Sequence, residues 1–269
     1  MTEAIITHLG AVDPVMKQLI AVAGPLAMAG REEHSPFEAL ARAIAHQQLH
    51  GKAAQSILNR FIATCGQGSF PAPAALLALE DAPLRAAGFS FSKIAALRDL
   101  ATKTLSGVVP HHTALHDLSD LEIIERLTAV RGIGRWTVEM LLMFQLRRPD
   151  VLPVDDFGVR YGFRLAYGLR KMPAPKVLAL FGERWAPHRS AAAWYLWRAV
   201  DLARAGRLPP PIEASKLPRL PRKRRKITAK PKRKTKRVAA SAVRPKPVGV
   251  RTHARRPPAR RSRAPAKKK

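Results

Sequence analysis

Two adjacent carboxylates, Asp155 and Asp156, follow Leu152-Pro153-Val154 and precede Phe157-Gly158-Val159-Arg160, where apolar residues resume at helical spacing. An acidic residue at a helix start is favoured by the helix dipole and commonly does no more than cap. Two in succession leave one spare, and Pro153 fixes the chain's approach. A spare carboxylate can stabilise positive charge developing on a substrate or orient an attacking water. About 20 residues earlier stands Arg131-Gly132-Ile133-Gly134-Arg135-Trp136-Thr137. Two glycines one residue apart let the backbone approach a ligand closely. At the start of the helix that follows, unpaired N–H groups point outward, an arrangement suited to phosphate. By itself such a turn also joins two helices with no ligand at all.

The elements that must carry these groups read as helices throughout residues 1–212. Asp13-Pro14 and Ser35-Pro36 each supply a cap and a first-turn proline ahead of apolar residues at helical spacing. Further helical patterns fall at roughly 52–64, 74–79, 91–106, 119–129, 135–147, 156–167, 174–183 and 189–205. No stretch alternates with period 2, and the connectors are short and rich in Pro or Gly. The expectation is an all-α domain over 1–212.

Composition adds a partner class. The 269 residues carry a formal charge of +29, which points to a polyanion, nucleic acid first. Half of the 48 Lys and Arg residues lie between 216 and 269, a stretch without Asp or Glu, so the remainder is only mildly basic. Residues 213–269 are Lys, Arg, Pro, Ala and little else, and are predicted to be a disordered basic tail. A single cysteine, Cys65, excludes an internal disulfide and any four-cysteine zinc or iron–sulfur site, and it reads as a small apolar residue. The first residues lack a signal-peptide pattern, and an intracellular, DNA-associated location (cytoplasm or nucleoid) is expected. His111, His112 and His116 follow Pro110 in a probable loop without acidic or thiol partners and are read as solvated.

Taken together, Gly-Ile-Gly-Arg-Trp-Thr (132–137) followed by Leu-Pro-Val-Asp-Asp-Phe-Gly-Val-Arg (152–160) resembles the helix-hairpin-helix glycosylases, specifically the DNA-3-methyladenine glycosylase II type. Pro-Phe-Glu-Ala-Leu (36–40) with Ala45-His46-Gln47-Gln48-Leu49, and Arg184-Trp185-Ala186-Pro187-His188-Arg189-Ser190 running on to Trp197, are similar to its other signatures. The likeness covers roughly residues 12–205. It departs in Arg131, where the family often has Pro, and in His46, where Gly is common. It also implies a short form, without the mixed N-terminal domain of longer members.

The resemblance implies a two-lobed helical fold with the active site in the cleft between lobes. It implies Asp156 as the catalytic carboxylate, with Asp155 as cap or support. Trp136, Trp197 and Phe157 would line a base pocket, and Gln48 with Leu49 would fill the gap left by a flipped base. Gly132, Gly134, Arg135 and Thr137 would hold DNA phosphate. Main-chain carbonyls of Thr128, Val130 and Gly132 are a candidate site for a structural monovalent or divalent cation, with no other cofactor required. Lys93 matches a family loop near DNA, though a solvated lysine fits as well. Double-stranded DNA with a damaged base is the implied partner, and a monomer the implied state.

Flipping is needed because the sugar–base bond is buried in the stack. Bases alkylated at purine N3 or N7 are cationic, and indoles attract them by about 0.5–2 kcal/mol. Bifunctional relatives carry a Lys where Trp136 stands, so simple hydrolysis, in base excision repair, is implied. A different lesion (hypoxanthine, an oxidised or mismatched base) is the nearest alternative. A noncatalytic DNA-binding or architectural protein is the alternative from another class, but it would need neither the Asp nor the two Trp residues.

Deleting residues 213–269 is expected to weaken nonspecific duplex binding and flatten its salt dependence, because fewer phosphate counterions are released. Single-turnover chemistry should be largely unchanged. Binding measured across a salt series checks this, and an unchanged slope overturns it.

Overall fold

A computed structural model describes residues 2–28 and 34–212; the tail expected over 213–269 lies outside the described residues. Among those described there is no strand. The helices are, in order, α1 (Thr2–Val12), α2 (Pro14–Ala23), α3 (Pro36–His46), α4 (Gly51–Cys65), α5 (Pro73–Ala78), α6 (Asp81–Ala87) and α7 (Phe91–Leu105). They continue as α8 (His112–His116), α9 (Asp120–Thr128), α10 (Arg135–Phe144), α11 (Phe157–Ala166), α12 (Pro175–Gly182), a 3-10 turn (Glu183–Trp185) and α13 (Arg189–Arg204). None of the described helices is long and apolar enough to cross a membrane.

Local chemistry sets most starts. Asp13 accepts from Val15 N (3.0 Å), with Pro14 in the first turn of α2. Ser35 accepts from Glu38 N (3.2 Å), and Ser119 with Glu122 forms a complete capping box on α9. Three elements escape the sequence reading. α1, α6 and α8 lack the long periodic stripe that signals a helix; α1 packs on α2 and the 3-10 turn, and α6 on α4 and α7.

Helix packing falls into two groups. In one, α3 packs on α4, α7 and α10, while α5 and α6 flank α4 and α7, and α9 packs on α10. In the other, α13 is central, against α11, α2 and the 3-10 turn, with α1 on α2 and α12 beside the turn. This is the all-helical, two-lobed arrangement expected. The second lobe therefore draws on both ends of the folded region, whereas the first is continuous.

The α11–α13 contact is close because α11 presents glycine there. A Cβ on Gly162 would lie 1.9 Å from the Leu196 carbonyl oxygen, so no other residue fits without moving a helix. At the other end of the lobe, Asp13 is fully buried. Beyond capping α2, it accepts from Tyr167 Oη (2.5 Å) and Trp185 Nε1 (2.9 Å), tying α2 to α11 and the 3-10 turn. Burial first, and the Asp13 carboxylate second, push the Tyr167 phenol well above its usual range. A buried carboxylate is tolerated because every donor around it points inward.

Asp13→Asn should therefore destabilise the domain by about 3 kcal/mol, since an amide cannot accept from all three of these donors and must turn its own N–H groups toward one. Tyr167→Phe, which removes a single bond, should cost about 1 kcal/mol. Urea unfolding followed by circular dichroism checks the order; equal costs would refute the account.

Candidate active site

Asp156 sits at the head of α11 as its cap. Oδ1 accepts from the helix's own Val159 N (2.6 Å) and from Trp197 Nε1 (2.9 Å). Oδ2 accepts from Trp136 Nε1 (2.8 Å). One carboxylate is thus held by three N–H donors from α11, α13 and α10, at the seam between the two lobes. The expectation that Asp155 does the capping is corrected. Asp156 caps with one oxygen and keeps the other for the indole of Trp136, while Asp155 is exposed.

Glycine again decides the fit. A Cβ on Gly158 would stand 2.7 Å from Trp197 Cδ1 and 2.9 Å from its Nε1. Gly158 and Gly162, one turn apart on α11, together let α13 approach until the Trp197 indole reaches Asp156. The segment leading into α11 is pinned as well. Ser190 Oγ accepts from Val151 N (2.9 Å) and donates to Arg148 O (2.7 Å). Arg189 grips Asp150 with Nε at 2.7 Å and a terminal nitrogen at 2.8 Å. That hydrogen bonding holds the Asp150 carboxyl below its usual range.

A cavity of about 540 Å³ opens between α3 and α10; Asp156 is not among its lining residues and meets it through Trp136, which lines the cavity and donates to the carboxylate. Ala39, Leu40, Met140 and Phe144 give it apolar walls, with polar groups from His46, Gln47, Thr137 and Gln145. Trp136 lines it and is 49% exposed, so one indole faces the cavity while its N–H holds Asp156. Trp197 is not among the lining residues; it stands one layer back, its ring stacked on Phe144 with centroids 6.0 Å apart. Phe157 is not among them either. It is 69% exposed at the start of α11 and stacks on Tyr161, because the first residue after the cap points outward once Asp156 has turned in. The pocket role expected for Phe157 is not what this arrangement provides.

The hairpin between α9 and α10 carries Gly132, with φ +78°, and Gly134, both exposed. No protein acceptor among the described residues takes the N–H of either. Arg135 is exposed at the first position of α10, and Thr137 N bonds back to Gly134 O (3.0 Å). From α7, Asp99 accepts from Arg131 N (2.7 Å), and Lys103 bridges Asp99 to Ala129 O (2.7 Å). Burial alone would raise the Asp99 carboxyl, but the Arg131 N–H and the Lys103 ammonium outweigh it and hold it low. Sequence reasoning passed over this brace, although Asp99 and Lys103 are an opposite-charge pair four residues apart. It also missed Glu139, buried on α10 and paired with Arg135 (2.9 Å). Burial raises the Glu139 carboxyl above its usual range, Arg135 opposes this, and Asp155 and Asp156 add to it.

The C-terminus of α3 carries the residues expected to fill a gap in DNA. Gln48 is exposed in the left-handed region (φ +57°), and Leu49 is 40% exposed beside it. Lys93 is turned inward rather than toward solvent. Its ammonium donates to Ala45 O (2.8 Å), and burial lowers its pKa. Oxygen donors suit a hard cation at the hairpin. Of those expected, the Val130 carbonyl already accepts from Ile133 N (3.0 Å) and that of Gly132 from Gln47 Nε2 (2.7 Å), so each would bring its second lone pair. Among the described residues no three His, Cys, Asp or Glu side chains gather as a metal set; His112 and His116 meet only as a pair (Nε2 to Nε2, 3.3 Å).

These features agree with what the chain is similar to. A family model described as HhH-GPD superfamily base excision DNA repair protein matches residues 41–187. A curated relative, DNA-3-methyladenine glycosylase 1 of Schizosaccharomyces pombe, is 44% identical over 197 residues, covering 73% of this chain and 86% of that one. Among solved structures, the S. pombe 3-methyladenine DNA glycosylase in complex with abasic DNA matches with a TM-score of 0.67 at 43% identity, covering 74% of this chain and 98% of that one. A DNA-3-methyladenine glycosidase from Bacillus halodurans matches with a TM-score of 0.68 at 36% identity, covering 74% and 91%. A carboxylate at the seam of two helical lobes, next to a glycine hairpin with free N–H groups, is thus found in a chain that belongs to the HhH-GPD superfamily of base excision DNA repair proteins.

Proposed function

We propose that this protein is a monofunctional DNA glycosylase that hydrolyses the sugar–base bond of alkylated purines, of the 3-methyladenine and 7-methylguanine kind, in double-stranded DNA. The observation that carries the reading is the Asp156 carboxylate, fixed by three N–H donors, one of them the Trp136 indole that lines a cavity of about 540 Å³, within the range of small-ligand sites. The free N–H groups of Gly132 and Gly134, with Arg135, would bind the phosphate backbone. Gln48 and Leu49 would enter the stack as the damaged nucleotide turns out.

As the base leaves, positive charge grows on the sugar, and Asp156 faces it with a charge already oriented, so little reorganisation is needed. The same carboxylate can direct a water to the sugar carbon. The exposed face of Trp136 offers a cationic base an attraction of about 0.5–2 kcal/mol that a normal base lacks. With an indole where a Schiff-base lysine would stand, the products are free base and an intact abasic strand. A cation on the Thr128, Val130 and Gly132 carbonyls would add positive charge where phosphate binds. We place the protein inside the cell with its DNA, as a monomer.

On methylated duplex DNA, wild type should release 3-methyladenine or 7-methylguanine, and Asp156→Asn should release it at least about 100-fold more slowly. Strand breaks should appear only after alkali. Breaks before alkali would refute the monofunctional reading, and release by both proteins would remove Asp156 from the chemistry. No release by wild type, with DNA binding intact, would favour another lesion. A second substitution tests the geometry: Gly158→Ala should push Trp197 off Asp156 Oδ1 and slow single-turnover release about 10-fold, with duplex affinity preserved. Unchanged release would show that the Trp197 bond is dispensable.

A further inference from the structure

Gln47 joins, through its backbone and its side chain, three parts of the site that the proposed mechanism keeps separate. It is the cap residue at the end of α3, immediately before the left-handed Gln48 and the exposed Leu49. It lines the cavity shared with Trp136. Its amide nitrogen donates to the carbonyl of Gly132, at the tip of the phosphate-facing hairpin, at 2.7 Å and across 85 residues of sequence. Just upstream, Lys93 of α7 holds the Ala45 carbonyl (2.8 Å), so the last turn of α3 is fastened from two sides. Gln48 then takes a left-handed backbone conformation, which a non-glycine residue keeps only where the surroundings enforce it.

We infer that Gln47 is a positioning residue that couples the hairpin's grip on the DNA backbone to entry of Gln48 and Leu49 into the stack. A hairpin seated on phosphate fixes the Gly132 carbonyl, and the Gln47 amide passes that position to the next residue in the chain. Gln48 and Leu49 then meet the helix at a set height relative to the gripped phosphates. The donor is the working part. Its oxygen makes no contact that this coupling needs, and a side chain of the same length without an N–H would leave the turn free to drift. The inference rests on the roles proposed above for the hairpin and for Gln48 and Leu49.

The test reads unstacking and not base release, so it stands apart from the glycosylase reading. Full-length protein is mixed with a duplex carrying 2-aminopurine next to a tetrahydrofuran abasic analogue, and the fluorescence rise on unstacking is followed by stopped flow. Affinity for undamaged duplex is measured in parallel, and melting by circular dichroism confirms folding. Gln47→Glu and Gln47→Met keep length and lose the donor. Both should slow or shrink the fluorescence step at least fivefold, as Gln48→Ala does, while undamaged-duplex affinity stays within threefold. Gln47→Lys, which restores a donor, should recover most of the step. If both donorless variants unstack like wild type, the inference fails. It fails equally if undamaged-duplex affinity falls by the same factor as unstacking, since Gln47 would then serve the hairpin alone. Absence of base release by wild type, with a normal fluorescence step, would count against the glycosylase reading and leave this one standing.

Discussion

The placement of three N–H groups around the Asp156 carboxylate is the constraint from which the rest of the architecture follows. Each donor comes from a different helix. Val159 N requires α11 to begin at Asp156. The Trp136 indole requires α10 to start just past the hairpin, so the chain must reverse tightly at Gly132–Gly134. The Trp197 indole requires α13 to lie closer to α11 than side chains normally allow, which Gly158 and Gly162 make feasible. The seam between lobes is where these three demands can be met at once, which is why the carboxylate lies there and not within either lobe.

Electrostatics around the seam are more crowded than one carboxylate suggests. Glu139 lies buried behind Arg135 and within the field of Asp155 and Asp156. The Arg135 guanidinium faces it from one side, so an exposed side chain at the hairpin is tied to a buried carboxyl. Arg135 therefore has less freedom than an ordinary surface arginine. On the far side of the hairpin, Lys103 and Asp99 form a comparable pair, which clasps the backbone at Ala129 and Arg131. The hairpin is braced at both ends by charge, and its exposed N–H groups are left for a ligand.

Much of this was legible in the sequence because it is local. Proline after a capping residue marks the starts of α2 and α3, and a Ser-x-x-Glu box marks α9. Asp156, Trp136 and Trp197 were picked out as one group by their motifs, and they do converge. The order within that group was less legible. With two acids in a row, position alone assigns the cap to the first, but the turn after Pro153 brings Asp156 to the helix head and leaves Asp155 in solvent. The same turn sends Phe157 outward, so an aromatic adjacent to the key residue in sequence is exposed and is not among the residues lining the cavity. Asp13 reads as a simple cap, and nothing near it predicts that Tyr167 and Trp185, more than 150 residues away, donate to its other oxygen. Gln47 hides for the same reason. Bonds of long sequence separation leave no periodic trace.

The division into one continuous lobe and one assembled from both chain ends has a consequence for synthesis. Residues from α3 to α10 leave the ribosome in one run and contain their own packing partners, so that lobe can close while translation continues. The helices α1 and α2 emerge earlier but have nothing to pack against except each other. Asp13 waits for Tyr167, then for Trp185, and the lobe is sealed only when α13 arrives. Until then the Asp156 carboxylate lacks its Trp197 donor, although the hairpin and Trp136 have already been made. A chain truncated before α13 would keep the hairpin whole and leave Asp156 one donor short.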